Sequence, residues 1–494
     1  MQRITILALA VGGLTAGSIA PVTAAAAPGT FDIVVHADQQ LPAEATTIVN
    51  PLLVNDPTRA LNEAGRVVFG ATLSTGATAL FSWQDGQLEE LLRTPAPAPA
   101  NGNFANVQLG IVQNDSGGVA FEAALTGTSG GTADDVGVFW IENGPVQEIV
   151  REGQLLPGTS GGWNGLGLGS PKVNDAGEVL LGLKFNDTIE ADVGFFLWDG
   201  TTLSKVVRNG DPVPPNSTIF NTVYSAQGFG TFWDFNDQGE LAFVANGNTV
   251  YRGLPGALTE AARSFGVEGF DLNDSGLLAF SDFFGLYTNA AGSTDVVTVA
   301  ARNDPAVTAG DTFFSFEELK VASNGDIAFK AQVAVDSGGN RAALFLATGG
   351  GIIEIFRTPL FADVPAGGIT TFDDFTVNAL GQVIFEVNLK GLGNRGIVIS
   401  DGSTLQLIAE GPVLTDFGGP RFVPGVVAND LGQVLIESTG HPIPNVAGGK
   451  NALLLYTPAV TPERVPMPPI GLLIAAGLLA ACGWRHRPRQ AAPR

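Results

Sequence analysis

The sequence predicts an all-β propeller of about eight four-stranded blades, and three observations lead there. A phrase of the form Asn-x-x-Gly recurs along nearly the whole chain, each copy opening a short apolar strand. No segment between the copies has the 3.6-residue period of an amphipathic helix. The stretch before the first copy reads as a strand that the last copy lacks.

The first five copies are Asn62 to Gly65, Asn114 to Gly117, Asn174 to Gly177, Asn236 to Gly239 and Asn273 to Gly276. A degenerate copy, Ala322-Ser-Asn-Gly325, is followed by Asn378 to Gly381 and Asn429 to Gly432. Successive copies begin 52, 60, 62, 37, 49, 56 and 51 residues apart. Asparagine opens a turn because its side chain bonds the backbone two residues on, and glycine accepts the positive φ where the chain reverses. The phrase therefore marks a hairpin, with Asn and Gly explained by the turn itself. The residues after each glycine, such as Val67-Val-Phe69 and Leu241-Ala-Phe243, are apolar and suit a buried strand. A second strand follows and ends in an aromatic and a turn, as at Trp83, Trp140 and Trp198. A third then runs into a Gly/Pro loop, as from Glu148 to Pro157. Four short strands every fifty or so residues is the pattern of a propeller blade.

The ends of the repeat region predict how the ring closes. Asp32 to Asp38 resembles the outermost strand of a blade but precedes the first phrase, whereas the eighth repeat stops at Ala452–Tyr456, its third strand. The N-terminal strand is thus expected to complete the last blade and remove an exposed sheet edge. The short 37-residue step leaves seven blades as the alternative.

Length, charge and cysteine content narrow the function. The chain has 494 residues, 45% hydrophobic and only 15% charged, with 25 Lys and Arg against 48 Asp and Glu. A net charge of −23 excludes nucleic acid as a partner. Residues 1–26 form a secretory leader: Arg3, an apolar run from Ile4, then small residues around Ala24 to Ala27. The repeat domain spans 28–458, a Pro-rich linker 459–469, a transmembrane helix 470–484 and a basic cytoplasmic tail 485–494. The only cysteine, Cys482, lies in that helix, so no disulfide supports the exported body.

The tail, Val465-Pro466-Met467-Pro468-Pro469 before an apolar helix and a cluster of arginines, resembles the PEP-CTERM group of bacterial sorting signals. The resemblance implies cleavage near the motif by an exosortase-type sorting transpeptidase, although Met467 stands where the group has Glu. The repeats resemble the bacterial NxxGxxAF tandem-repeat proteins, with Ala-Phe closing the copies at Ala120-Phe121, Ala242-Phe243, Ala279-Phe280 and Ala328-Phe329. That resemblance covers residues 62–440 and implies a surface protein; it supplies no catalytic residues.

Catalytic chemistry is thin, and no catalytic or cofactor-binding residue is assigned. The body holds two histidines, His36 in the expected closing strand and His441 in an expected loop, and neither has zinc-type spacing. No phosphate loop or dinucleotide fingerprint stands out. The glycines from Gly161 to Gly169 precede no helix and read as loop. Adjacent acids at Asp134-Asp135 and Asp373-Asp374 fall on expected loops, where solvation explains them. Ca²⁺ is the one cofactor to weigh, because Asp115, Asp175, Asp237, Asp274 and Asp430 each follow the turn asparagine, but no D-x-D-x-D-G run accompanies them. The three equivalent tryptophans are expected to pack between blades rather than stack on sugars. The expected function is an exported, non-enzymatic module that binds an extracellular polysaccharide or an envelope protein. The alternatives are a polysaccharide hydrolase or lyase with its site in the central channel, and a structural spacer in a biofilm matrix.

Overall fold

In the computed structural model, residues 29–459 are described, apart from 43, 53–58, 167–168, 187–191, 213–231, 247, 265, 294, 337, 361–362, 366, 391–394, 412–425 and 443–448. The leader, the sorting residues Val465 to Pro469, the helix at 470–484 and the basic tail lie outside the described residues.

Each Asn-x-x-Gly phrase turns the innermost strand of a blade into its second. In the first copy, Gly65 donates to the Asn62 carbonyl at 3.0 Å and Asn62 donates to the Arg66 carbonyl at 3.0 Å. This is a type I turn closed by a glycine in the left-handed region. The glycine of every copy has φ between +71° and +92°, a conformation that a Cβ would strain.

Eight sheets result, lying over residues 48–93, 103–151, 162–208, 233–263, 269–301, 312–357, 369–411 and 427–458 with 29–36. We number them blades 1 to 8. Every one is an antiparallel meander of four strands, although the inner strand of blade 3 is split into Gly162–Leu166 and Lys172–Val173. The 37-residue step encloses a complete blade with strands of three to five residues, so the count is eight and not seven. Among the described residues there is no α-helix, only a 3₁₀ turn at Gly131–Ala133, and no helix long and apolar enough to cross a membrane.

The core sits between blades. A separate cluster of buried apolar side chains fills each of the eight junctions, as where Val68 and Leu80 of blade 1 meet Phe121 and Phe139 of blade 2. The equivalent tryptophans belong to this packing: Trp83, Trp140 and Trp198 are all buried, and Trp140 and Trp198 of adjacent blades lie 5.9 Å apart. Gly118 lies so close under Trp140 that a Cβ there would overlap the indole.

The N-terminal strand closes the ring. Gly29–His36 runs antiparallel along the outer side of Gly449–Pro458, with Gly29 opposite Pro458 and His36 opposite Ala452. Phe31 packs on Tyr456 with ring centroids 5.2 Å apart. Removing residues 29–36 strips blade 8 of its outer strand and uncovers Ala452 to Tyr456. The expected outcome is a thermal midpoint lowered by more than about 10 °C, with aggregation on size exclusion.

Candidate functional site

The central channel is built in tiers, and its two ends differ. At the hairpin end, each turn asparagine serves its own turn and the next blade together. The Asn236 Oδ1 accepts from Gln238 and Glu240 at 3.1 and 2.9 Å, while its Nδ2 donates to the Asn273 carbonyl at 3.0 Å. The same bridge joins Asn62 to Asn114, Asn114 to Asn174, Asn273 to Ala322 and Asn429 back to Asn62, at 2.8 to 3.3 Å. In the degenerate copy Asn324 takes over, donating to Ala379 at 3.1 Å. The Asn174 and Asn378 amides turn instead onto Glu178 and Gln382 of their own hairpins. The turn alone therefore does not account for asparagine, because its amide hydrogens reach the neighbouring blade.

The acids after the asparagines form a second ladder. Asp115, Asp175, Asp237 and Asp274 each accept, through Oδ1, the backbone N–H of the equivalent residue one blade earlier, at 2.8 to 3.0 Å. Asp430 accepts from Ala379 at 2.6 Å and donates its own N–H to Glu63 at 2.9 Å. These carboxylates, weighed above for Ca²⁺, are thus engaged with the backbone. Among the described residues no group of three or more His, Cys, Asp or Glu is placed to hold a metal ion. Arg59 of blade 1 reaches across to the Val173 carbonyl of blade 3 and, at 3.3 Å, the Phe235 carbonyl of blade 4. Its charge opposes those of Asp115, Asp234, Asp237 and Asp274. The hairpin end of the channel is therefore ringed by hydrogen bonds between neighbouring blades and crossed by the Arg59 cation.

Above this lacing the inner strands of blades 6 and 7 carry bulges, as that of blade 2 does between Asn106 and Val112. In Thr312–Val321, Glu317 and Glu318 together oppose Lys330, and in Ile369–Val377, Asp373 and Asp374 together oppose Glu386. Two residues against one is a β-bulge, which re-aims side chains. Asp373-Asp374 therefore lies within a strand rather than on the expected loop, because the bulge lets a sheet accommodate two successive acids. Glu317 pairs with Lys330 at 3.0 Å, Glu386 with Arg395 at 3.0 Å, and Asn388 donates to Asp373 at 2.9 Å. Burial first, then the charges of Glu318 and Asp373, push the Asp374 carboxyl above its ordinary range, with Lys320 and Lys330 pulling the other way. Glu318 and Asp373 are exposed. These groups thus form one mixed-charge patch on the channel wall.

The remaining expected residues lie apart from it. His36 ends the closing strand, with Nδ1 2.8 Å from the Ala37 carbonyl. His441 lies in the strand Val434–Pro442 opposite Lys450, not in a loop, because the last blade extends its hairpin that far. Asp134 is on a loop as expected and accepts from Gly130 at 3.0 Å. Part of the Gly161 to Gly169 stretch forms the strand Gly162–Leu166, anchored by the buried Trp163. Missed altogether were Phe283 and Phe284, exposed at a hairpin tip, with Arg302 and Phe314 beside them. Two adjacent phenylalanines where a turn favours Asn or Gly were the signal that could have found them.

Residues 20–264 and 257–444 match the model of a family described as a family of unknown function (DUF7453). The chain belongs to that family. No curated protein matches it by sequence. Among solved structures, the C-terminal WD40 domain of Sif2 is similar at 11% identity and a TM-score of 0.41, over 88% of this chain and 99% of that one. A PL25 polysaccharide lyase, an ulvan lyase, is similar at 8% identity and a TM-score of 0.34, over 87% and 93%. PorZ, a surface component of the type-IX secretion system of Porphyromonas gingivalis, is similar at 13% identity and 0.31, over 80% and 55%. These likenesses concern the fold alone.

Two predictions follow from the lacing. Asn236→Ala removes a fully buried amide, leaves the Asn273 carbonyl with the Gly276 N–H as its remaining donor and loosens the turn. The expected cost is about 2–3 kcal/mol by denaturant unfolding. Protons matter as well. Burial, aided by the Asp274 charge, pushes Asp237 up to about 6, and burial pushes Asp271 to about 6 and Glu437 to about 7. Such groups hold protons in the fold that they release when unfolded, so stability rises as pH falls from 7 toward 5. Against the upward push of burial, the Arg357 hydrogen bond holds Asp311 low, and Lys172 followed by Arg59 holds Asp234 low. Their contribution is lost below about pH 4, so melting scans across pH should peak on the acid side of neutral. A flat profile from pH 7 to 5 would contradict this.

Proposed function

We propose that the chain is an exported, surface-tethered propeller that binds an extracellular polymer without altering it chemically. One observation carries this reading: at bulges in the innermost strands of blades 6 and 7, Glu317, Glu318, Asp373 and Asp374 come together with Lys330, Glu386 and Arg395 of the strands outside them. Bulges are over-represented next to binding and active sites, which supports reading this patch as a contact surface. Most of the carboxylates there are held by Lys330, Arg395 or Asn388, an arrangement that suits hydrogen bonding to a polar chain better than proton transfer. Export and sorting rest on the leader and on the PEP-CTERM-like tail.

A second reading, a polysaccharide hydrolase, has one observation in its favour. Asp374, its carboxyl raised first by burial, neighbours the exposed Glu318, and two carboxyl groups in unlike surroundings are what glycoside hydrolysis uses. The test incubates the full chain, kept soluble in mild detergent, with extracellular polysaccharide, and follows co-sedimentation and polymer length together. Binding with unchanged length, weakened about tenfold by Asp374→Asn, is expected. Shortened chains, with shortening abolished by Asp374→Asn or Glu318→Gln, would replace the binding module with the hydrolase.

A further inference from the structure

We propose that Phe283, Phe284, Phe314 and Arg302 form a sugar-stacking platform beside the channel patch, and that its ligand is a neutral glycan. This deepens the binding-module reading and rests on it. Phe283 and Phe284 are the two-residue tip between the strands Leu278–Asp282 and Gly285–Asn289, and they are 39% and 46% exposed. The turn does not need them: Asp282 Oδ1 accepts from the Phe284 and Gly285 N–H groups at 2.8 and 3.0 Å and holds the reversal itself. Two adjacent apolar rings with this much exposed surface at a tip mark a contact surface.

The rings are nonetheless fixed in place. Phe283 meets Phe284 and Phe314 edge-on, at 5.5 and 5.8 Å between centroids. The Arg302 guanidinium lies over both Phe283 and Phe314, 4.4 and 4.8 Å from their centres. Among the described residues it forms no ion pair with a carboxylate. Phe314 stands four residues before Glu318 on the same inner strand, at most ~13 Å away along it. Platform and channel patch thus share one strand.

Charge selects the ligand. A polyanion entering here meets Glu318, Asp373 and Asp374 on a chain of net charge −23. A polycation meets Arg302, Lys320 and Lys330. A sugar hydroxyl both donates and accepts, so one neutral chain can use guanidinium and ammonium donors together with carboxylate acceptors. The C–H face of a pyranose ring, slightly positive, fits the negative face of Phe284, while the guanidinium over Phe283 and Phe314 offers donors to the hydroxyls.

The test presents the full chain in mild detergent to an array of neutral and uronate-bearing oligosaccharides, with Phe283→Ala/Phe284→Ala and Arg302→Gln as variants. Both sites are surface-facing, and unchanged thermal midpoints show that the variants fold. Binding to neutral oligosaccharides, weakened about tenfold or more by either variant, is the result expected. Neutral binding that survives both variants, or a preference for the uronate-bearing set, overturns the platform while leaving the binding module standing. Failure of the wild-type chain to bind any oligosaccharide overturns both.

Discussion

The ring depends on one side chain used in two directions. An asparagine carboxamide has an acceptor on one side and two donors on the other, and the inner hairpin needs both. Its oxygen satisfies the N–H groups of a turn that would otherwise be buried without partners; its nitrogen ties that turn to the next blade. Local geometry and ring geometry are therefore coupled through a single residue, and a hairpin cannot shift without pulling on its neighbour. Aspartate in its place would keep the acceptor and lose the donor. Serine could cap the turn but could not reach across.

Around this tie the remaining contacts fall into order. The eight apolar junctions supply most of the burial, yet apolar packing has little directionality. The asparagine bridges and the carboxylates accepting N–H groups set the angular register at which neighbouring sheets pack. Arginine adds to the same task in blades 1 and 4. Arg252 of the short blade 4 pairs with Glu240 and donates to the Gly276 carbonyl of blade 5 at 2.7 Å, and Arg66 donates likewise to Gly117. With one end of the channel occupied by this network, variation accumulates at the other, where bulges and an exposed aromatic tip cost the ring little.

Much of the fold was legible because it is written as a repeat. Asparagine and glycine at fixed spacing announce the hairpins, and the misplaced strand at Asp32 to Asp38 announces the closure. The packing of Trp83, Trp140 and Trp198 followed from their equivalence. The candidate site was far less legible. Glu317-Glu318 and Asp373-Asp374 owe their placement to a break in strand pairing, and a bulge leaves no mark in composition. The second bond of the asparagines that bridge was hidden for a different reason: the turn already explained the residue, and nothing local implies a bond to a carbonyl some fifty residues on. Phe283-Phe284 belongs to no repeated position, so it drew no comparison between copies.

The closing strand also imposes a timetable. Asn429 and Asn62 lie 367 residues apart yet share the hydrogen bond that completes the ring. The first strand of the domain must wait for the last before it has anything to pair with. Until then any partial ring presents a bare edge, with no cysteine in the repeat domain to latch it covalently. Contacts so distant in sequence form slowly, because the loop entropy must be overcome before they contribute. Assembly of this molecule is thus decided at a single seam in blade 8, and the rate of joining there governs how long an incomplete ring stays open to misassociation.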